Sequence, residues 1–356
     1  MDDEFILKGF ESNLTSKIII AQQKLKKLVE EVKTIELPLF DLPDIVKPKK
    51  IAAIDGGGFS EDLVGVTIVP SRAAGAIFEQ NENPIWIEKE DLEILTIEED
   101  PKNFGALLRD LLEVEVACDL ISYNPVAIFL DGSITNFAYK GIPLSIHHTL
   151  REGKEIDESI PGYRFYQLFL KFIRSAYKLI TECIKRDILL IGVSKDSRTD
   201  ILVKHLFANK KNKPAISDTT FVKIKAGNRR CFTKPIEFTP ELREERKKIW
   251  AAANVFTEVE LRKFYLSYFV LKEGAQPIRV DSLLPQKHRL SEIQELLSTY
   301  HDGNGFITPA YLTHNRAHMT NDYGERIINI LAEKVLDDSP EIYQAFLSKR
   351  RRDIIQ

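Results

Sequence analysis

Two short apolar segments end in the same dipeptide, Asp-Gly, and this feature constrains the fold more than any other. Residues 51–54 lead into Asp55 and three glycines, and residues 126–130 lead into Asp131, Gly132 and a serine. Short, continuous apolar runs predict strands that are buried on both faces. A carboxylate directly after such a strand adds nothing to the core, and open α/β sheets build their sites at strand ends. The sequence therefore predicts a sheet with two acidic side chains at its edge.

The order of the predicted elements favours an α/β fold with a mixed sheet. The predicted strands cover 51–54, 63–69, 75–78 or 85–87, 126–130 and 188–193, and the helices between them cover 103–122 and 163–185. The first three strands can form an antiparallel meander, whereas the later strand–helix–strand connection requires a parallel crossover. This is the ribonuclease H-like arrangement, a mixed sheet flanked by helices, here followed by an elaborated helical C-terminal half.

In that arrangement the first and fourth strands are neighbours, which brings Asp55 and Asp131 to one place. Two adjacent carboxylates repel each other unless a cation lies between them. A divalent metal, which prefers carboxylate oxygens, is the economical explanation for the pair.

The chain divides into three predicted regions. Helical periodicity without a breaker predicts a long helix over residues 10–33, and three prolines then make an extended linker, so residues 1–47 form an N-terminal helix and linker. The apolar face of this helix is a candidate dimer contact. Residues 48–320 form the main domain with a basic insertion around 200–285, and residues 321–356 form C-terminal helices.

A third carboxylate is expected from the helix that joins the two Asp-Gly strands. At about 100° per residue, Glu115 falls inside the apolar face, whereas Glu113 falls on the polar side beside Arg109. A glutamate on a buried face is costly unless it has a partner or a metal, which favours Glu115. A small change of helical phase would exchange the two, so Glu113 remains the alternative.

Two histidines lie one helical turn apart on a helix that Thr308 is expected to begin. The i, i+4 spacing of His314 and His318 could hold one metal jointly, but the residues between them lack the glutamate of a zinc hydrolase helix. We therefore expect one of them to act at the site, as a metal ligand or as a general acid/base. The adjacent His147 and His148 would point in different directions and are interpreted as structural.

Basic and hydroxyl side chains follow the last buried strand. Lys195, Ser197 and Arg198 could bind phosphate with help from the next helix N-terminus, and a plain polar turn is the alternative explanation. They begin a tract, residues 195–234, with 11 Lys/Arg and three acidic residues, whereas residues 79–119 carry 13 Asp/Glu and three basic residues. This charge separation suggests a phosphate-backbone footprint beside metal-binding carboxylates, with ordinary solvated faces as the alternative.

Two further clusters have simpler interpretations. The aromatic residues Phe264, Tyr265 and Tyr268 either stack on bases or pack, and packing is favoured. The basic cluster at residues 349–352 complements the dipole of a last helix.

Three scattered cysteines are too few for a disulfide framework, the acidic start lacks a signal-peptide pattern, and no apolar run reaches the ~20 residues of a membrane helix. We therefore expect a cytoplasmic protein of a reducing compartment, without membrane contact.

An ordered set of short motifs resembles the NurA family of DNA nucleases. The motifs are the Asp55-Gly strand, the helix with Arg109 and Glu113-Val-Glu115, the Asp131-Gly-Ser133 turn, Gly192-Val-Ser-Lys195-Asp-Ser197, Ile216-Ser-Asp218 and the segment from Gly305 to His314. The motifs occur in the family order and span residues from about 50 to 320. Each motif is weak alone, and the ordered set is fairly specific.

The resemblance implies both an activity and a site. Asp55, one helix glutamate, Asp131 and His314 would form the metal-binding and catalytic set, with Mn²⁺, or alternatively Mg²⁺, as the cofactor. The implied activity is cleavage of single- and double-stranded DNA, with 5′→3′ exonuclease and single-strand endonuclease action. Family members form ring-like dimers and work with a hexameric HerA-type helicase in DNA end resection.

One departure from the family pattern supports a different function. The family commonly has a tyrosine eight residues before the histidine, and this chain has Phe306, so Tyr311 would have to supply the phenol. A catalytically weak or inactive DNA-binding ring subunit is therefore the second hypothesis. An actin-like phosphotransferase is the third, because both Asp-Gly turns could face nucleotide phosphates.

Overall fold

A computed structural model describes residues 3–96, 99–139, 142–195, 197–208, 213–241, 243–255 and 262–347. Its helices are α1 Asp3–Lys33, α2 Pro101–Leu120, α3 Asn136–Tyr139, α4 Leu144–Arg151, α5 Tyr163–Lys185, α6 Ile201–Leu206, α7 Asp218–Ala226, α8 Glu244–Ala253, α9 Leu290–Tyr300, α10 Thr308–Ala317, α11 Asn321–Asp338 and α12 Pro340–Ile342. In the described part of the chain, none of these helices is long and apolar enough to span a membrane.

Eleven strands of the described residues form one mixed sheet. They are β1 Leu39–Phe40, β2 Ile51–Gly58, β3 Glu61–Asp62, β4 Thr67–Phe78, β5 Ile85–Leu95, β6 Ala127–Asp131, β7 Leu189–Ser194, β8 Cys231–Thr233, β9 Ile236–Phe238, β10 Phe264–Val270 and β11 Ile278–Leu283. The order is β1-β8-β10-β11-β7-β6-β2-β4-β3, with β5 beside β4 and β9 beside β10.

The centre of the sheet has the predicted ribonuclease H-like topology. β2 pairs with β6 and β6 with β7 in parallel, and the other pairs are antiparallel. The first and fourth strands of the prediction are β2 and β6, which are neighbours in register, with Ile54 opposite Leu130. The predicted fold class is therefore confirmed.

The meander differs from the prediction in its second and third strands. β4 is one strand of 12 residues where the sequence suggested a break, and β5 alone forms the third strand. Pro70 follows the predicted second strand, which ends at residue 69, and it lies opposite Leu92 of β5. Proline is tolerated here because β2 ends opposite Ser71, so Pro70 lies beyond the last residue pair of β2 and β4.

Helices cover both faces of the central strands. Ala52, Ile54 and Ile128 pack on one face in the cluster that includes α2 and α5. Ile51 and Phe129 face the other way, into the cluster that includes α9 and α10. Burial on both faces explains why these strands read as continuous apolar runs.

The basic insertion of the prediction extends the sheet. β8, β9, β10 and β11 continue it beyond β7, and α6 and α7 pack on them in a separate apolar cluster. Val32 at the end of α1 is buried in the same cluster. The division of the chain at residues 47 and 320 stays a prediction.

Candidate metal centre

Asp55 and Asp131 occupy equivalent places at the carboxyl ends of adjacent parallel strands. Asp55 lies in β2 directly after the pair of Ile54 with Leu130, and Asp131 is the last residue of β6. Asp55 is 5% exposed, and its carboxylate accepts a hydrogen bond of 2.7 Å from the Gly56 backbone N–H. The strand register alone therefore brings the two carboxylates to one edge of the sheet.

His314 completes a three-residue cluster with these carboxylates. It lies on α10, which crosses the end of β2, and its Nδ1 lies 2.5 Å from Asp55 Oδ2 and 3.9 Å from Asp131 Oδ2. One candidate ligand atom from each of the three residues lies within 4.8 Å of the others. His318 follows the end of α10, with its ring centre 6.2 Å from that of His314.

Burial and charge repulsion act together on Asp55. Desolvation, followed by repulsion from Asp131, raises the pKa of Asp55 to about 6, although the hydrogen bond with His314 opposes the shift. A cation between the two carboxylates would remove this penalty. Two carboxylates and one imidazole form a donor set that fits Mn²⁺, and Mg²⁺ uses the carboxylates of such a site.

The glycines after Asp55 serve the packing of the chain itself. A Cβ atom on Gly56 would lie 2.4 Å from Glu113 Oε1, and one on Gly57 would lie 2.1 Å from the carbonyl oxygen of Ala317. The structure places α2 against Gly56 and α10 against Gly57, and Gly56 also lines the cleft beside Asp55.

The two helix glutamates face different surroundings. Glu113 lines a cleft of about 330 Å³ together with Asp55, Asp131 and His314, and its Oε1 lies 3.6 Å from Arg109 Nε. Glu115 is not among the described residues that line this cleft.

Glu115 points to the other side of α2. Its carboxylate pairs with Lys171 of α5 at 2.9 Å and lies 3.9 Å from Lys89 of β5. The preference for Glu115 rests on the need of a buried-face glutamate for a partner or a metal, and here two lysines are the partners. The structure brings Glu113, and not Glu115, to the cleft that contains the cluster.

The predicted phosphate-binding residues line a second cavity, of about 640 Å³, which continues the first. Lys195 Nζ lies 2.6 Å from Asp131 Oδ2, so an ammonium group already neutralises one member of the cluster. Ser197 and the exposed Arg198 line the same cavity. Asp196, between Lys195 and Ser197, lies outside the described residues.

A buried carboxylate fixes the segment after Lys195. Asp218 is fully buried and accepts hydrogen bonds from the backbone N–H groups of Leu202 and Val203 at 3.0 and 2.9 Å, and from the Tyr268 hydroxyl at 2.6 Å. It thereby satisfies the N-terminus of α6, just after Arg198. Tyr268 and Phe264 are buried, as the packing interpretation predicted.

A buried ion pair that the sequence analysis did not identify holds the turn after Asp131. Arg279 and Asp281 of β11 are 3% and 0% exposed, and Arg279 Nε lies 2.7 Å from Asp281 Oδ1. The Ser133 hydroxyl donates to Asp281, and Arg279 donates to Ser133 and Thr135 at 3.2 and 2.9 Å. The signal in the sequence was two charged residues alternating with apolar ones in a short strand.

The remaining candidates lie elsewhere. His147 pairs with Glu245 at 3.5 Å, and neither His147 nor His148 lines the cleft or the adjoining cavity. The basic cluster at residues 349–352 lies outside the described residues.

The sequence and the structure of this chain are both similar to those of one protein family. The sequence matches the NurA domain family model over residues 49–332. The structure is similar to the NurA nuclease from Sulfolobus solfataricus, with a TM-score of 0.66, 20% identity, and coverage of 95% of this chain and 98% of that one.

Two further solved structures are also similar in fold. A structure of NurA with manganese matches with a TM-score of 0.60 and 12% identity over 89% of this chain and 97% of that one. A structure of NurA bound to dAMP and manganese matches with a TM-score of 0.53 and 11% identity over 89% and 93%. Among curated protein sequences, none matches this chain significantly.

Proposed function

The chain belongs to the NurA family, and from this premise we propose that it is a metal-dependent deoxyribonuclease that hydrolyses phosphodiester bonds. The observation that carries the proposal is the cluster of Asp55, Asp131 and His314 at the carboxyl ends of two parallel strands. Two solved family structures are described as containing manganese, and one also contains dAMP. Mn²⁺ is the proposed cofactor, and Mg²⁺ is the alternative to be compared with it.

Each side chain of the site has a role in this proposal. Asp55 and Asp131 hold the metal through carboxylate oxygens, and His314 holds it through Nδ1, which faces both carboxylates. A divalent metal bound there supplies activation of water and stabilisation of the leaving oxygen. Glu113 lies on the same cleft and adds negative charge to it.

The basic side chains of the adjoining cavity bind the DNA backbone in this proposal. Lys195 lies between the cluster and the cavity, so its ammonium group can contact both Asp131 and a phosphate oxygen. Arg198 is exposed in the same cavity, and its guanidinium suits bidentate phosphate binding. Ser197 contributes a hydroxyl donor.

The finer activities and partners rest on the family resemblance. We propose 5′→3′ exonuclease and single-strand endonuclease action, on single- and double-stranded DNA, in DNA end resection with a HerA-type helicase. We also propose a cytoplasmic homodimer. Apolar side chains of α1 that are 44–59% exposed support self-association, namely Leu14, Ile18, Ile19, Ile20 and Leu25.

A catalytically weak DNA-binding subunit is the second candidate, because Phe306 lacks the phenol that is usual in the family. Tyr311 lines the same cavity as Phe306 and provides a hydroxyl there, which supports the active enzyme. The phosphotransferase hypothesis, which needs both Asp-Gly turns to face nucleotide phosphates, loses part of its support because α2 packs against Gly56 and α10 against Gly57.

Degradation of end-labelled single- and double-stranded DNA in Mn²⁺, Mg²⁺ or EDTA tests the proposal. Asp131→Ala is expected to abolish a metal-dependent cleavage that the wild type shows. The matched control is Asp119→Ala on α2, whose carboxylate is exposed and pairs with Lys89 at 2.8 Å. DNA binding without cleavage in any metal would refute the proposed nuclease activity and support the second candidate, a DNA-binding subunit. Cleavage that survives Asp131→Ala would place the activity elsewhere.

A further inference from the structure

Two large aromatic side chains are exposed beside the metal cluster. Phe306 is 43% exposed and Tyr311 46%, and their ring centres lie 6.3 Å apart at an interplanar angle of 33°. Both line the cavity of about 640 Å³ that also contains His314 and Asp131. Aromatic rings contribute most to stability when they are buried, so two exposed rings in one cavity offer an apolar surface to a ligand.

Both rings are carried by ordered backbone near His314. Tyr311 precedes His314 by three residues on α10, so the two side chains share a helix face. The Phe306 backbone N–H donates to Asp302 Oδ1 at 3.0 Å, and the flanking residues His301 and Ile307 form a β-bridge. The backbone positions that carry the two rings are therefore fixed relative to His314.

Basic side chains line the same cavity as the two aromatic rings. Lys195 and Arg198 line it, and Lys195 contacts Asp131, the member of the cluster nearest to it. A nucleotide combines a flat apolar base with a phosphate, and an aromatic platform beside basic groups matches both parts. A cavity of this size also falls in the range of small-ligand sites.

We infer that Phe306 and Tyr311 form a nucleobase subsite, which stacks on the base of an unpaired nucleotide next to the scissile phosphate. The inference rests on the proposed nuclease function and specifies its substrate. A base inside a duplex is already stacked between its neighbours, so it presents no free face to the protein. The subsite therefore admits a single strand, or a duplex end that has opened.

The test combines an abasic substrate with ring variants. A single-stranded oligonucleotide carries one abasic nucleotide at successive positions, and kcat/KM for cleavage in Mn²⁺ is measured for each. Loss of the stacked base is expected to lower kcat/KM about 5- to 150-fold, at one or two positions next to the cleaved bond. Phe306→Ala is expected to cause a similar loss on the intact substrate and little further loss on the abasic one.

Conservative variants separate stacking from the phenol hydroxyl. Tyr311→Phe and Phe306→Tyr keep a ring and are expected to keep the base dependence, whereas Tyr311→Ala removes it. Tyr123, 37% exposed and outside the lining of the cavity, provides the matched control Tyr123→Ala, which should change nothing. The inference would be refuted if an abasic nucleotide lowered kcat/KM equally at every position. It would also be refuted if Phe306→Ala lowered kcat/KM by the same factor on the abasic substrate as on the intact one.

A second readout does not require cleavage. Fluorescence anisotropy of a dye-labelled oligonucleotide in EDTA measures DNA binding. Phe306→Ala is expected to weaken binding of the intact oligonucleotide. On the abasic oligonucleotide, the variant and the wild type are expected to bind equally. If the wild type cleaves DNA without base dependence, only the subsite is refuted. If it binds with base dependence but never cleaves, the nuclease proposal fails and the subsite stands.

Discussion

Asp55→Asn is expected to stabilise the metal-free protein while it removes metal binding. Burial and the nearby Asp131 raise the pKa of Asp55 from 3.8 to about 6, so its charged form is less stable in the fold than in the unfolded chain. Asparagine is close in shape and carries no charge. Its side-chain oxygen can still accept the hydrogen bond that Gly56 donates to Asp55.

The magnitude follows from the size of this pKa shift. About two pKa units at 1.36 kcal/mol each correspond to up to about 3 kcal/mol at pH 7.5, where Asp55 is ionised in both states. The raised pKa means that the folded state holds the proton more tightly, so stability falls as pH rises from 3.8 through 6. The advantage of Asp55→Asn should therefore be about half as large at pH 5.

Thermal unfolding in EDTA and in Mn²⁺ checks this prediction. For 356 residues, 3 kcal/mol corresponds to a Tm increase of about 4 °C in EDTA at pH 7.5. Saturating Mn²⁺ at 100 times its Kd should stabilise the wild type by about 2.7 kcal/mol and the variant very little, which closes the gap. The exposed Asp119→Asn should leave Tm unchanged under both conditions. A variant that is less stable than the wild type in EDTA at pH 7.5 would refute the reasoning.

Three further changes test the surroundings of the cluster. Gly57→Ala should displace α10, because the added Cβ would lie 2.1 Å from the backbone carbonyl oxygen of Ala317. Titration calorimetry should then show weaker Mn²⁺ binding, and an unchanged Mn²⁺ affinity would contradict the role of Gly57 in placing α10. Arg279→Met leaves Asp281 buried without its cation and should cost about 3–5 kcal/mol in urea unfolding at neutral pH; a cost below about 1 kcal/mol would argue against the buried pair. Glu113→Gln should raise the Mn²⁺ Kd more than Glu115→Gln does, since only Glu113 lines the cleft; the reverse order would restore the original preference for Glu115.

The sequence was sufficient to predict the centre of the fold and much of the site. Each Asp-Gly turn follows an apolar strand, and this is a local pattern that needs no tertiary information. The ribonuclease H-like strand order then makes the first and fourth predicted strands neighbours, and the structure pairs them as β2 and β6, so Asp55 and Asp131 meet. The Thr-Pro signal at residue 308 predicted the helix that carries His314 and His318. The choice of His314 between the two came from the family resemblance.

The choice between Glu113 and Glu115 could not be made from local sequence. The two lie two residues apart on α2, and both are partly buried, so a burial argument does not separate them. Their difference comes from what packs against each side of the helix. Lys89 reaches Glu115 from β5, the strand before α2, and Lys171 reaches it from α5, more than 50 residues further along the chain.

The glycines after Asp55 show the same limit more sharply. A run of three glycines after a strand indicates that something approaches the backbone closely, but it does not say whether that is a ligand or another part of the chain. Here α2 approaches at Gly56 and α10 at Gly57. Because α10 comes this close, His314 reaches Asp55 at 2.5 Å. The carboxylates are therefore set by strand register, which the sequence predicts, and the imidazole by a helix contact between residues about 260 positions apart. A variant that moves α10 should then affect the third ligand and leave the first two in place.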